Sequence, residues 1–167
     1  VYHASDTDLS VNGIEVHPSE CLFEATINGT WELSMIVPYS DNHWQDIEDN
    51  GVVRLRTPYG AQLFRIYSKD KNKFELSVNA YPIFMDAKND TFIYDKRPTN
   101  CDGQTALSTL LNGTKYKGHS NISNKSTAYW LRKNVIECIG SNDDNSFLNR
   151  WGGEVRYDNY DIYINDR

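Results

Sequence analysis

The first half of the chain alternates between apolar and polar positions with a period of two. In "WELSMIVP", Trp31, Leu33, Met35 and Val37 fall on one side of an extended strand. Glu32 and Ser34 fall on the other side, and Ile36 breaks the polar row. Asn28-Gly29, just upstream, offers the positive φ angles of a type I′ turn and predicts a hairpin. Pro38 has no N–H to give a ladder and ends the strand. "DNHWQDIED" has room for at most two helical turns. In "GVVRLRT", Val53 and Leu55 alternate with Arg54 and Arg56. After the turn "PYG", the strand "AQLFRIYSKD" points Phe64 and Ile66 inward. A polar turn over Asp70 to Lys73 leads into "FELSVNA", with Phe74, Leu76 and Val78 on one face. Strands joined by short turns predict antiparallel pairing in a meander or small barrel.

The pattern changes after residue 95. "DKRPTNCDG", residues 95–103, has the composition of a linker. In "QTALSTLLNG", Ala106, Leu107, Leu110 and Leu111 form a helical stripe that Gly113 terminates. "AYWLRK" is strand-like. In "NVIECIG", Asn134 is a helix N-cap with Glu137 completing a capping box. "DNSFLNRWGG" predicts a second short helix closed by glycine. Val155 and Tyr157 then pair with Tyr160, Ile162 and Ile164 across an Asp158-Asn159 turn, giving a C-terminal β-hairpin. The expected organisation is an antiparallel β domain over residues 1–95 and a small α+β domain over 96–167.

Composition narrows the function classes. A 13% aromatic share argues for a packed core rather than disorder. A formal net charge of −6 argues against a primary nucleic-acid binder, which needs a basic face for phosphates. The sequence holds no apolar run long enough for a membrane span. Cys21, Cys101 and Cys138 are widely spaced, outside any zinc pattern, and are expected as buried or half-buried free thiols. The sequons at Asn28, Asn89, Asn112, Asn121 and Asn124 are read as a by-product of frequent asparagine.

Candidate chemistry is sparse. His3, His17, His43 and His119 are outside metal-ligand spacings, so no metal or cofactor is expected. His43 with Trp44 and Asp46 has the makings of a base and its carboxylate partner, though an exposed loop histidine is the simpler reading. Asp143-Asp144 and Asp158/Asp161 could be paired carboxylates for glycoside hydrolysis. Helix-terminus and turn roles explain them more simply. Tyr157, Tyr160 and Tyr163 suggest a sugar platform, but alternation sends Tyr163 to the face opposite Tyr157. No catalytic residue is assigned.

Four segments carry a resemblance. "VVRLRTPYGAQLFRIYSKDK", "VNAYPIFMDAKND", "GQTALSTLLNG" and "FLNRWGGEVRYDNYDIYIN" resemble, in the same order, the N-terminal region of phage minor structural proteins. That family is the prophage tail-endopeptidase, or tail-associated lysin, family of siphophages. The resemblance covers most of residues 8–167, and its most specific part is the Trp-Gly-Gly-Glu hairpin. It implies a baseplate-hub-like fold: α+β and mostly β, with an antiparallel β-barrel-like domain followed by a small α/β domain. It implies a structural hub at the tail tip, a homotrimer when full-length, which meets other tail proteins such as the distal tail protein and the tape measure. Its place would be the virion tail tip, assembled in the bacterial cytoplasm, with a part in host attachment and DNA entry. Further hub domains and any lytic domain would follow Arg167, so the resemblance transfers no catalytic, cofactor or metal residue. The alternatives are a cell-wall hydrolase or endopeptidase acting within these residues, and a glycan- or receptor-binding module.

Overall fold

The computed structural model of the chain describes residues 1–140 and 142–166. The fold is mostly β and divides into two compact units, Val1–Ile83 and Phe84–Arg167. The division falls earlier than the expected 95/96 boundary. Phe84, Ala87 and Ile93 belong to the core of the second unit.

The first unit is one antiparallel sheet of β1 (Glu20–Ala25), β2 (Trp31–Pro38), β3 (Val52–Thr57), β4 (Gly60–Lys71) and β5 (Glu75–Pro82). Their spatial order is β1-β2-β5-β4-β3, so β1 and β3 are the edges of a curled half-barrel. The ladder between β4 and β5 shifts register between Ile66 and Ser68, and such a bulge bends a long strand and increases its twist. The alternation in β2 is realised: Trp31, Leu33, Met35 and Val37 are buried and the residues between them are half-buried. Leu33, Phe64, Ile66, Leu76, Val78 and Ala80 form the centre of the core. Residues before β1 also contribute to it, through Val1, Ile14 and Val16. Tyr2 bridges Val52 with hydrogen bonds of 2.8 and 3.0 Å.

Three local expectations change here. Phe74 is 71% exposed and precedes β5. The Asn72 side chain accepts from the N–H groups of Phe74 and Glu75 at 2.8 and 2.9 Å, which folds Phe74 into the turn. Leu55 is half-buried at the core margin, while both Val52 and Val53 are buried. The β1–β2 turn is not type I′, because Asn28 has a φ of 55° while Gly29 is outside the positive-φ set. Instead the Gly29 N–H donates to the Thr26 carbonyl, and Thr26 donates to Thr30, within a longer loop.

The second unit has α1 (Ala87–Asp90), β6 (Ile93–Lys96), α2 (Gly103–Leu111), β7 (Lys117–His119), β8 (Trp130–Lys133), α3 (Val135–Gly140), α4 (Phe147–Trp151), β9 (Glu154–Asp158) and β10 (Asp161–Asn165). β10 runs parallel to β7 and antiparallel to β9, and β6 pairs with β8. The stripe on α2 is buried as its spacing predicts. Lys96 reaches the far end of α2 and donates to the carbonyls of Leu110 and Asn112 at 2.7 and 2.9 Å. Burial pulls its pKa below the usual lysine value. The Asn134–Glu137 capping box forms in both directions, at 2.9 and 3.0 Å. Gly152, with φ 79°, closes α4. Gly153 has φ 101°, and a Cβ there would stand 2.8 Å from Ile122 Cδ1 and 3.0 Å from the Asn165 carbonyl.

Residues 97–103 are not a linker. Cys101 bridges Ser126, Ala128 donates to the Pro98 carbonyl at 3.0 Å, and the Trp151 indole donates to the Cys101 carbonyl at 2.9 Å. The final hairpin turns at Asn159-Tyr160, one residue later than expected. Asp158 lies opposite Asp161, Tyr157 opposite Ile162, and φ is 54° at Asn159. Arg132, inside β8, has a φ of 52°.

Asp102 N-caps α2, accepting from the Thr105 N–H at 2.8 Å, and this bond draws its pKa below the usual carboxylate value. A depressed carboxylate contributes stability that is present above its unfolded pKa of about 3.9 and is lost as pH falls through the lower folded value. Asp102→Asn keeps the acceptor but removes the charge. Urea titrations of the second unit between neutral and acid pH should show a shallower acid loss for this variant, and an unchanged slope would refute the assignment.

Candidate functional site

The residues with candidate chemistry are scattered and already occupied. His43 Nδ1 does lie 2.8 Å from Asp46 Oδ2, in the short 3-10 turn Trp44–Asp46. Both side chains are exposed, and Trp44 packs on Tyr39 at 4.4 Å with Lys71 over its ring. The pair serves a surface turn.

Asp143 is committed to its loop. Its carboxylate takes Lys133 and the Asn145 N–H, and its carbonyl takes the Ser146 N–H and the Asn149 amide. Asp144 is exposed beside it, and the N-cap of α4 is Ser146. Asp158 and Asp161 face each other across the hairpin ladder. Asp161 is engaged by His119 at 3.1 Å, and Asp158 by the Asn159 side chain at 3.2 Å. Among the described residues, no group of three or more His, Cys, Asp or Glu side chains could hold a metal ion.

The tyrosines do not make one platform. Tyr157 and Tyr160 pack against the core of the second unit, with Phe84 and Tyr116 as their aromatic neighbours. Tyr163 is on the other face, stacked on His119 at 4.5 Å, with Arg156 at 4.3 Å over its ring. Burial raises the Tyr157 pKa. Burial, then the hydrogen bond to Asp90, raises that of Tyr116.

The cysteines differ from one another. Cys138 is buried, and desolvation pushes its thiol up to about 12. Cys101 is half-buried, but Cys21 is exposed, against expectation. It belongs to the edge strand β1, where the inward-facing Phe23 is half-buried but Cys21 nearer the strand's start stays exposed.

The second unit also exposes large apolar side chains that were not singled out in the sequence. Phe92 (66% exposed), Tyr94 (72%), Tyr129 (52%) and Leu131 (45%) sit on or beside β6 and β8. The Phe92 and Tyr94 rings are 6.3 Å apart at 64°, an edge-on pair and not a coplanar sugar-stacking floor. Open recesses of about 440 and 470 Å³ share Asp90, Thr91 and Phe92 in their walls. Leu131 lies opposite Asp95 in the β6–β8 ladder, so it is on the other face of this ribbon from Phe92 and Tyr94. The alternation in "TFIYDK" marks a strand, but nothing local says that its partner strand leaves Tyr94 uncovered.

No family model matches the chain, and no curated protein matches it significantly. Among solved structures it is similar to the prophage tail protein gp18 from Listeria monocytogenes EGD-e. The TM-score is 0.65 at 16% identity, covering 87% of this chain and 43% of that one. A second similarity is to the E. coli c3393 protein, a component of the type VI secretion system described as structurally similar to T4 bacteriophage tail proteins gp27 and gp5. There the TM-score is 0.44 at 8% identity, over 90% of this chain and 48% of that one. The first likeness shows a shared fold; the second is too loose to argue from. The chain spans less than half the length of either structure.

Proposed function

We propose that this chain is the N-terminal part of a phage or prophage tail-tip hub, a structural component of the virion and not an enzyme. The observation that carries the reading is the fold, shared along most of the chain with a prophage tail protein. The four sequence segments that resemble tail-associated lysins support it, and the exposed Phe92–Tyr94 pair on and beside β6 is in keeping with it. The hub would act as a homotrimer among other tail proteins, including the distal tail protein and tape measure, in attachment and DNA entry. Its lytic chemistry, if the full-length protein has any, would belong to a separate C-terminal domain.

The test is location. Antibody raised against residues 1–167 should label the tail tip of virions in electron micrographs. Label on the capsid or along the tube, or none on intact particles, would overturn the reading. A second measurement addresses oligomerisation. By light scattering, residues 1–167 should be monomeric or weakly associated, whereas the polypeptide extended through the rest of the hub should be a trimer. A monomeric extended polypeptide counts against the hub. The purified fragment should also leave Gram-positive cell wall and unfolded protein uncleaved, with or without zinc. Turnover abolished by His43→Ala or Asp143→Ala would favour the enzyme instead.

A further inference from the structure

Two cations of the second unit line an open recess of about 440 Å³ without an ion-pair or hydrogen-bond partner among the described residues. They are Lys88 on α1 and Arg132 on β8, and both are exposed. The other charged groups of the recess are engaged. Asp90 accepts from the Tyr116 hydroxyl at 2.8 Å and holds Lys115 at 2.8 Å. Glu137 accepts from the Asn134 N–H at 3.0 Å, and Lys133 is paired with Asp143. An anion entering the recess therefore meets Lys88 and Arg132 without displacing an existing contact.

The backbone sets Arg132 apart. Its φ of 52° is left-handed, a region that a long side chain rarely adopts. Strain of this kind persists only where the surrounding structure enforces it, and it collects at ligand clamps and active sites. The ladder with β6 holds on either side, with Leu131 opposite Asp95 and Lys133 opposite Ile93. The strain is thus confined to one residue, and that residue lines the recess. Phe92, 66% exposed, forms part of the same wall.

We propose that this recess binds a carboxylate carried by a polypeptide, held by the Arg132 guanidinium and the Lys88 ammonium, with Phe92 against the apolar part of the same segment. Charge and shape select the ligand. Lys88, Arg132 and Lys133 against Asp90 and Glu137 leave one net positive charge, which suits a single carboxylate and opposes a multiply charged phosphate. A guanidinium fork matches the two oxygens of a carboxylate. Arginine and aromatic side chains are enriched in protein contacts, and here Phe92 supplies the aromatic beside the charge. The competing explanation is that Lys88 and Arg132 are solvated surface charges that meet any anion weakly. Nothing in the recess depends on the tail-tip reading.

The probe is a short blocked peptide of alternating glutamate and leucine, titrated into isotope-labelled residues 1–167 and followed by nuclear magnetic resonance. Its glutamine–leucine counterpart and inorganic phosphate are the comparisons. The glutamate peptide should shift the amide resonances around Lys88, Phe92 and Arg132 to saturation. The glutamine peptide and phosphate should each bind at least about tenfold more weakly. Lys88→Gln/Arg132→Gln should abolish binding, and Arg132→Lys, which keeps the charge but not the fork, should weaken it several-fold. Arg54→Gln/Arg56→Gln removes the same charge from the first unit and should leave binding unchanged. All four positions are exposed, and circular dichroism checks that each variant folds. The proposal is overturned if the glutamate peptide does not bind at the recess, or if phosphate or the glutamine peptide binds as tightly. It is also overturned if Arg54→Gln/Arg56→Gln loses as much as Lys88→Gln/Arg132→Gln, or if Arg132→Lys binds like the parent.

Discussion

Trp130→Ala should be the most damaging single substitution in the second unit, lowering its stability by about 3–5 kcal/mol. Trp130 is fully buried at the start of β8, beside Trp151 at 6.2 Å. Its indole N–H donates to the Asn145 carbonyl at 2.8 Å. Truncation opens a cavity the size of the ring system and leaves that carbonyl without its donor. The lost hydrogen bond adds about 0.5–1.5 kcal/mol to the packing loss, so the sum belongs at the upper end of the range. Trp130→Phe isolates the hydrogen bond, since most of the packing remains, and should cost clearly less than alanine. Urea denaturation of the three proteins gives the comparison. Equal midpoints for parent and alanine variant would mean that Trp130 is not the centre of that core.

Phe64→Ala should have a comparable effect on the first unit, again about 3–5 kcal/mol. Phe64 is fully buried on β4, next to β3 on one side and β5 on the other, with Phe23 edge-on at 5.6 Å. The ring therefore joins the middle of the sheet to β1. Trp31 occupies an equivalent place in the alternation but a different place in the packing. It is at the rim, stacked on Tyr59 at 4.9 Å and outside the central cluster. Trp31→Ala should accordingly cost less than Phe64→Ala despite the larger side chain, because a rim site can collapse around the loss. Denaturation midpoints in the reverse order would show that the rim aromatics, and not the sheet centre, hold the unit together.

What the sequence made legible was what neighbouring residues decide among themselves. The buried faces of β2 and β5, the α2 stripe and the Asn134–Glu137 box follow from periods of two and 3.6 and from one capping pattern. Phe74 was misplaced because the Asn72 side chain, not the alternation, decides where the strand starts. Residues 97–103 looked like a linker because their partners, Ser126, Ala128 and Trp151, are far along the chain. Candidate chemistry failed for a related reason. His43 and Asp46 did meet, but on an exposed turn. The exposure of Phe92 and Tyr94 stayed hidden because exposure is a property of the assembled unit, and period-two alternation looks the same on a covered strand and an open one.

Arg132 bears on mutational tolerance. Among the described residues, five non-glycine residues have positive φ, and four of them, Asn28, Asn50, Asn100 and Asn159, are asparagines, whose short polar side chains suit that region. Arg132 is the exception, held between Trp130, anchored in the core, and Lys133, paired with Asp143. A left-handed residue with a long side chain costs roughly 1–2 kcal/mol, while the extra freedom of glycine in the unfolded chain costs about 0.5–1 kcal/mol. The two nearly cancel, with the balance on the side of glycine. An Arg→Gly change, ordinarily harmful inside a strand, is thus expected to be silent or mildly stabilising at this one position. In a saturation library selected for folding, position 132 should be enriched in glycine and asparagine and depleted of valine and isoleucine, the reverse of what a β-strand normally selects.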